Sequence, residues 1–428
     1  MTAQVENKQR LGRQRVAWVI LLSSFAVCMA ITIAVPFLIN AGVQNSTEPL
    51  NIVVQSNQGT VAIDDASGDR QAIIAGDVGG TASSGQSVRT GNTATGLMSV
   101  TLPDSADVLA RLQIYSTTDV QIEEATTPFF DLSSQNNELH LRMDNGRIRL
   151  TVPPNTQRPT NIQIATPQGN VLIAEPGEFA IVVTTEDTQV TVQEGSANVI
   201  ADDEQGNLQL LANERGQIPN GSGPIGPLET SRNLIKNGDF NDSMSDWTQF
   251  PWTVEIPTEP DGQIRVLNEG GESRLNVTRR GVGHADVLMR QNIGQDVSEL
   301  NSLRLLVTFR ILQQSLDVCG IVGSECPFFI RINYIEEESG FSNTWQQGFY
   351  GRGQASPELP DICQRCAMVQ STHESVPSQQ DAFFDIDLNE ELLRQGRRPP
   401  QFIESIVLVF SGHEFEVEVV DVALVAEE

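Results

Sequence analysis

The chain has 428 residues, too many for one ordinary core and about right for two domains. Its 27 Lys and Arg stand against 55 Asp and Glu, a formal net charge of −28, and a polyanion this strong excludes nucleic acid as a partner. A hydrophobic share of 39% excludes a disordered chain, and the composition fits no collagen, coiled coil or multi-span membrane protein.

Residues 1–15 are a basic tail carrying Lys8, Arg10, Arg13 and Arg15. Val16 to Ile39 holds no charge, and its 24 residues would span ~36 Å as a helix, more than the ~30 Å of a hydrocarbon core. This predicts a transmembrane helix over 16–40, with Trp18 at the inner interface and Pro36 in the last turn. After Arg15 the next Lys or Arg is Arg70, an asymmetry that places the N-terminus in the cytoplasm and the bulk outside the cell. The tail contributes +3, so the exported part carries −31 and should repel an anionic membrane surface. The rival reading is a cleaved signal peptide, whose apolar region would be shorter, ~7–15 residues, although Cys28-Met29-Ala30 is a passable cleavage site.

Residues 41–50 are small and polar and predict a short stalk. From 51 to 218 short β-branched runs alternate with turn formers and predict an all-β domain. Leu139, Leu141 and Met143 share one face of such a run and His140 and Arg142 the other. Asn145-Gly146, between two such runs, predicts a hairpin. Residues 219–230 are a Pro/Gly-rich linker, and their GSGPIG lacks the strand-to-helix setting a phosphate cradle needs. In 231–428 the strands resume. Leu303, Leu305, Val307, Phe309 and Ile311 share a face, 405–410 is a strand covered on both sides, and 389–395 is a short helix. The fold class is therefore all-β: one N-terminal transmembrane helix, then two extracytoplasmic β domains, the second a two-sheet sandwich.

Four exported cysteines form the sharpest local feature, Cys319 and Cys326 at C-x6-C and Cys363 and Cys366 at C-x2-C. Outside the cell thiols oxidise, so two disulfides are expected, with three pairings open. Zinc held by all four thiolates is the lesser alternative, and a redox-active C-x2-C is third. No nucleophile elbow, H-E-x-x-H or EF-hand loop is present, so no enzyme is expected. Sugar binding on a β module needs aromatic faces beside polar side chains. Trp252, Trp345 and Tyr350, in loop-like stretches, are the stacking candidates, with Gln346, Gln347 and Arg352 as hydrogen-bonding neighbours; the competing reading is that these rings cover the sandwich edge. Trp247 is expected to plug the core.

The succession GQSVRTGNTATGLMSVTLPDSADVLA, LRMDNGRIRLTV, IATPQGNVLIAEPGEFAIVVT, TVQEGSANVI and LLANERGQI resembles the FecR-type extracytoplasmic domain over most of residues 55–218. FecR-like regulators pair this domain with a cytoplasmic segment that holds a sigma factor. Fifteen residues before the anchor are too few for such a folded unit, so sigma-factor control is not expected. NLIKNGDFNDSMSDW (233–247) and the closing FEVEVVDVALV resemble the first and last strands of carbohydrate-binding modules of the galactose-binding-like jelly-roll type. That resemblance implies adjacent terminal strands with a structural calcium beside them, here at Asn241 and Asp421. The expected protein is a non-catalytic, membrane-anchored bacterial surface protein that binds glycan or another envelope component. The alternative is an envelope sensor or scaffold working through protein contacts.

Overall fold

The uncharged run lies within one continuous helix, Thr2–Asn45, in a computed structural model that describes residues 2–65, 67–103, 105–154, 158–202, 206–336, 339–351, 362–364 and 372–428, with the side chains of 2–15, 17, 250–252 and 269 outside the description. Trp18–Asn45 is long and apolar enough to cross a membrane, and no residue of its 18-residue apolar window is buried by protein. Pro36 falls inside the helix rather than in its last turn, which a lipid-facing helix accommodates. The expected stalk is not a loop. The helix runs through it to Asn45, where the Gly42 carbonyl accepts both the Ser46 amide at 3.1 Å and the Ser46 hydroxyl at 2.7 Å. Thr47–Pro49 then pairs antiparallel with Asp119–Pro128, and Leu50 is already in the core of the first domain.

That domain is built on the 16-residue strand Asn137–Val152. Its first half pairs with Asp119–Pro128 and, in parallel, with Thr160–Thr166; its second half pairs with Val108–Ile114 and Gly177–Val183. One strand thus belongs to two sheets, and the pairings close on themselves around a single core. The expected hairpin at Asn145-Gly146 is instead the bend where this strand changes sheets. Gly146 has φ +107°, and a Cβ there would sit 2.3 Å from the Thr118 hydroxyl, so the site needs glycine for the bend and for the close approach. The predicted alternation holds: Leu139, Leu141 and Met143 are fully buried while His140 and Arg142 reach solvent. Part of the expected linker is also structured. Ile225–Leu228 adds an edge strand to Glu214–Pro219, a position that tolerates Pro227 because an outer edge needs no further donor.

The second domain is two sheets facing each other. One runs in the order Gln263–Glu269, Glu272–Arg279, Phe415–Glu427, Ser302–Gln314, Ala382–Asp387. The other runs Thr248–Val254, Ala285–Asp296, Pro400–Gly412, Phe328–Glu336, Ser342–Gly351, Thr372–Val376. Leu303, Leu305, Val307, Phe309 and Ile311 line the core as their alternation predicted. Residues 405–410 are buried on both faces. The short helix is Leu388–Arg394, capped by the Asp387 carboxylate, which accepts from the Asn389 and Glu390 amides. Arg232–Asn233 pairs with Val425 and Ala426, so the opening and closing segments are neighbours. Trp247 is buried against Phe240, with ring centroids 5.8 Å apart.

The two domains meet through buried charge. Arg147, 2% exposed at the sheet-switching bend, donates to both Glu428 oxygens at 3.2 and 2.6 Å and to the Ser298 carbonyl at 2.7 Å. It lies 3.6 Å from Asp296 and stacks 4.1 Å above the Tyr115 ring. Tyr115 donates to Glu299, the Ser116 amide to Asp296, and Gln401 bridges Ser116 and Gln58. Burial alone would raise the pKa of Glu428, but Arg147 and Arg232 hold it below the ordinary carboxylate value. Removing one member of a buried pair strands the other, at a cost of about 3–5 kcal/mol. Arg147→Met keeps the volume and deletes the charge. We expect it to split one calorimetric unfolding transition into two, one per domain; a single unshifted transition would show that the junction contributes nothing.

Candidate functional site

Strand alternation divides the second sheet of the C-terminal domain into two chemistries. Val287, Met289, Ile330, Ile332, Ile406 and Leu408 point into the core. Between them, Leu288, Phe329, Val407 and Val409 form a separate apolar cluster on the opposite, outer face. That cluster is covered by the turn holding Val318, Cys319 and Cys326.

Cys319 and Cys326 are fully buried and disulfide-bonded to each other. Cys363 is also disulfide-bonded, and Cys366 lies outside the described residues. In this oxidised form Cys319 and Cys326 offer no thiolate to zinc. His373 lies near the two bonded sulfurs, but a disulfide offers no thiolate for a metal.

The turn is clamped by charge as well. His284 Nδ1 lies 2.7 Å from Glu325, and its Nε2 lies 3.2 Å from Asp286. His413 approaches Glu325 at 3.4 Å. Hydrogen bonds to Asp286 and then Glu325, against the effect of burial, raise the His284 pKa to about 9. The reciprocal bond holds Glu325 below the usual carboxylate range.

Beyond this covered half, the outer face is polar. Cross-strand registers align Arg290, Val407, Arg331 and Gln346 in one row, and Asn292, Ser405, Asn333 and Thr344 in the next. The rows are bonded internally. Arg331 Nε donates to Gln346 Oε1 at 2.9 Å, Asn333 Nδ2 to Ser405 Oγ at 2.9 Å, and Thr344 Oγ1 to Asn333 Oδ1 at 3.0 Å. Burial lowers the Arg331 pKa, with Asp286 opposing. Arg290 and Asn292 are exposed at the end of the two rows, next to the strand that carries Trp252. Gln346, Ser405 and Val407 are buried within the rows, so the accessible groups are the exposed Arg290 and Asn292 with the half-buried Arg331, Asn333 and Thr344, a guanidinium, amide and hydroxyl set able to read the hydroxyls of a sugar.

The sequence-based aromatics divide on this geometry. Trp345 is not a stacking residue: it is 1% exposed, faces the core opposite Ile332, and stacks on Phe384 at 6.3 Å. The stretch reads as a loop because Gln346, Gln347 and Gly348 are poor strand formers, yet Ser342–Gly351 is a strand and its alternation turns Trp345 inward. Tyr350 is on the outer face, half-buried against the apolar cluster. Trp252 sits at a bulge in the edge strand, between the Pro251–Val287 and Thr253–Asp286 pairs; its side chain and all of Arg352 lie outside the described residues. Missed from sequence were Arg331 and Asn333. The signal was present: in FFIRINYI the two polar residues fall on alternate positions of an otherwise apolar strand.

The implied calcium position is composed differently from expectation. Asn241 is exposed, and its amide donates to Asp239 at 2.6 Å. Burial first, and the Asp239 carboxylate second, raise the Asp421 pKa, so Asp239 rather than Asn241 is the acidic neighbour of Asp421. Gly238 lets the segments meet, since a Cβ there would lie 1.9 Å from the Val422 carbonyl.

A cleft of about 520 Å³ also opens between the domains, lined by Gln189, Gln217, Gln291, Gln295, Arg232 and Lys236 among others. The Arg232 guanidinium bonds Gln295 at 3.1 Å, and burial lowers its pKa to about 10. Its Nε and second terminal nitrogen are unbonded among the described residues but sealed from solvent, so they present nothing to a visiting ligand.

Residues 87–198 match the family model described as FecR protein. A search of the curated proteins finds no match. Among solved structures, a candidate anti-sigma factor from Parabacteroides distasonis ATCC 8503 aligns at 18% identity and TM-score 0.24, over 32% of this chain and 57% of that one. TmCBM61 in complex with beta-1,4-galactotriose aligns at 12% identity and TM-score 0.25, over 46% of this chain and 99% of that one. The C-terminal family 22 carbohydrate binding module of Clostridium thermocellum Xyn10B aligns at 13% identity and TM-score 0.25, over 44% and 91%. The chain thus carries a FecR-matching region within an all-β architecture that follows a candidate membrane helix.

The His284 clamp predicts a pH response. Its folded pKa of about 9 lies above the ordinary 6.5, so the clamp acts in full below pH 6.5 and is lost as pH rises through 9. At about 1.4 kcal/mol per pKa unit this is on the order of 3 kcal/mol. Corrected for base-catalysed intrinsic exchange, the protection of amides in 318–326 should fall between pH 7 and 10, and His284→Gln should remove that fall. Equal dependence in both proteins would remove His284 from the clamp.

Proposed function

We propose that this is a non-catalytic, single-pass membrane protein whose N-terminus is cytoplasmic and whose C-terminal sandwich binds glycan outside the cell. The polar double row on the outer sheet face carries this reading. Arg290 and Asn292 are exposed at its end and Arg331, Asn333 and Thr344 half-buried, with Gln346 and Ser405 buried beside them, so solvent-reachable donors and acceptors stand at strand spacing on one face. The basic tail before an uncharged helix supports the orientation, and the Cys319–Cys326 bond suits an oxidising compartment. Binding of the purified full chain to a glycan array tests it. Arg290→Ala with Asn292→Ala removes two exposed groups without touching the core. At about 1 kcal/mol per lost hydrogen bond the pair should weaken binding by about tenfold or more. Silence of the wild-type chain across neutral and acidic glycans would sink the proposal.

The second reading, an envelope sensor or scaffold working through protein contacts, is supported by the FecR match and by the bonded domain junction. A silent array together with one specific protein cross-linked in membranes would favour it. A sigma factor is not the partner proposed.

A structural calcium is proposed beside the paired termini. Asp239 is near enough to Asp421 to raise its pKa, neither carboxylate has an ion-pair partner among the described residues, and the Asn241 amide is bonded to Asp239. Such an all-oxygen set suits Ca²⁺, which would stabilise the two carboxylates in their ionised form. Millimolar calcium should raise the melting temperature of the wild type and leave that of Asp421→Asn unchanged. No calcium response in the wild type would refute the site.

A further inference from the structure

We infer that the loop 129–134 of the first domain rests in the interface of the same bilayer that the helix crosses, so that the domain is held against the membrane at two points. This rests on the reading of the helix as a membrane span. Phe129, Phe130 and Leu132 are 58%, 40% and 86% exposed, a concentration of apolar surface that a soluble face seldom carries.

Their place in the fold names what covers them. The Phe129 amide donates to the Ser46 carbonyl at 2.9 Å, directly after the helix. Gln44, in the helix's last turn, accepts from the Ser133 hydroxyl, the Ser134 amide and the Ser134 hydroxyl at 3.0–3.2 Å. The uncharged run ends at Ile39, so Gln44 stands five residues, or ~7.5 Å, farther along the helix axis. That is the depth of the headgroup and acyl boundary, where aromatic and apolar side chains of surface-lying segments are buried by ~5–10 Å.

The backbone is prepared for a poorly hydrated setting, where unpaired amides and carbonyls are costly. The Ser133 amide donates to the Phe130 carbonyl at 2.9 Å. Arg158 spends its guanidinium on the carbonyls of Gln135, Phe130 and Asp131 at 2.9, 3.4 and 3.5 Å. Phe129 and Phe130 pack edge to face at 5.0 Å and present one apolar block. The contact is apolar, not electrostatic. With a net charge of −28 the chain gains nothing from anionic headgroups, so the occupant is the acyl boundary of any fluid bilayer.

The test uses the full chain in phosphatidylcholine nanodiscs, carrying Cys28→Ser and either Leu132→Cys or, as a control in the second domain, Phe383→Cys, each labelled with an environment-sensitive fluorophore. Phe383 is 79% exposed and lies far along the chain from the span. The label at 132 should emit to the blue and lose more than half its intensity to spin-labelled lipid, while the label at 383 does neither. Replacing a third of the lipid by phosphatidylglycerol should leave both unchanged. Chain that stays in the disc with label 132 unquenched overturns the inference and leaves the span intact. A blue shift without lipid quenching also overturns it, in favour of a protein covering the patch. Chain that fails to co-purify with the discs overturns the span and the inference together.

Discussion

A guanidinium shut away from water sits where two β domains touch, and much of the molecule's geometry follows from it. Arg147 stands at the bend of the strand that belongs to both sheets of the first domain, and its partners Glu428, Ser298 and Asp296 all belong to the second. A charge buried this deeply is tolerable only while fully paired, so the domains cannot separate without exposing or stranding it. Gly146 next to it makes the bend, and Thr118 fills the space that a side chain there would need. The relative placement of the two domains is thereby tied to the internal bend of one of them.

That coupling extends toward the membrane. Helix, first strand and core follow without a break from Asn45 through Thr47–Pro49 to Leu50. Ile225–Leu228 returns as an edge strand where a free connector was expected. The outer face of the second domain is therefore held in a defined attitude to the helix. A tethered module on a flexible stalk would search a volume; this one presents a fixed surface.

Much of the architecture was legible in the residues. The uncharged run, the alternation at Leu139–Met143 and Leu303–Ile311, the doubly buried 405–410 and the short capped helix all follow from periodicity and charge. The misses share a cause: local signals decided at a distance. Asn145-Gly146 has a hairpin's residues, but the partners of each half lie at 108–114, 119–128 and 177–183, so tertiary pairing turns the hairpin into a bend. Thr95–Thr101 is legible chiefly through resemblance, and Asp119–Pro128, with six polar or charged residues among its ten, falls in none of the resembling motifs. Trp345 was misread because a Gln-Gln-Gly run hides a strand. The polar rows escape a sequence reading for the opposite reason. Arg331 and Asn333 look like interruptions of a core strand until Gln346, Ser405 and Thr344 are found beside them across the sheet.

The disulfide and the His284 clamp acquire a purpose from those rows. Leu288, Phe329, Val407 and Val409 lie on the same outer face as the polar groups, and left open they would make an adhesive patch. The Cys319–Cys326 turn seals them, and His284 with Asp286 and Glu325 holds the turn's edge. Covering that cluster leaves Arg290 and Asn292, beside the strand that carries Trp252, exposed, and Arg331, Asn333 and Thr344 half-buried. Apolar residues continue the same strands into the sealed half, so the boundary between the halves is set by the cover and not by the sheet. Loosening the turn would widen the face and change its chemistry from hydrogen-bonding to hydrophobic. The Cys319–Cys326 bond and the His284–Glu325 contact are thus what separate the polar part of this face from its apolar part.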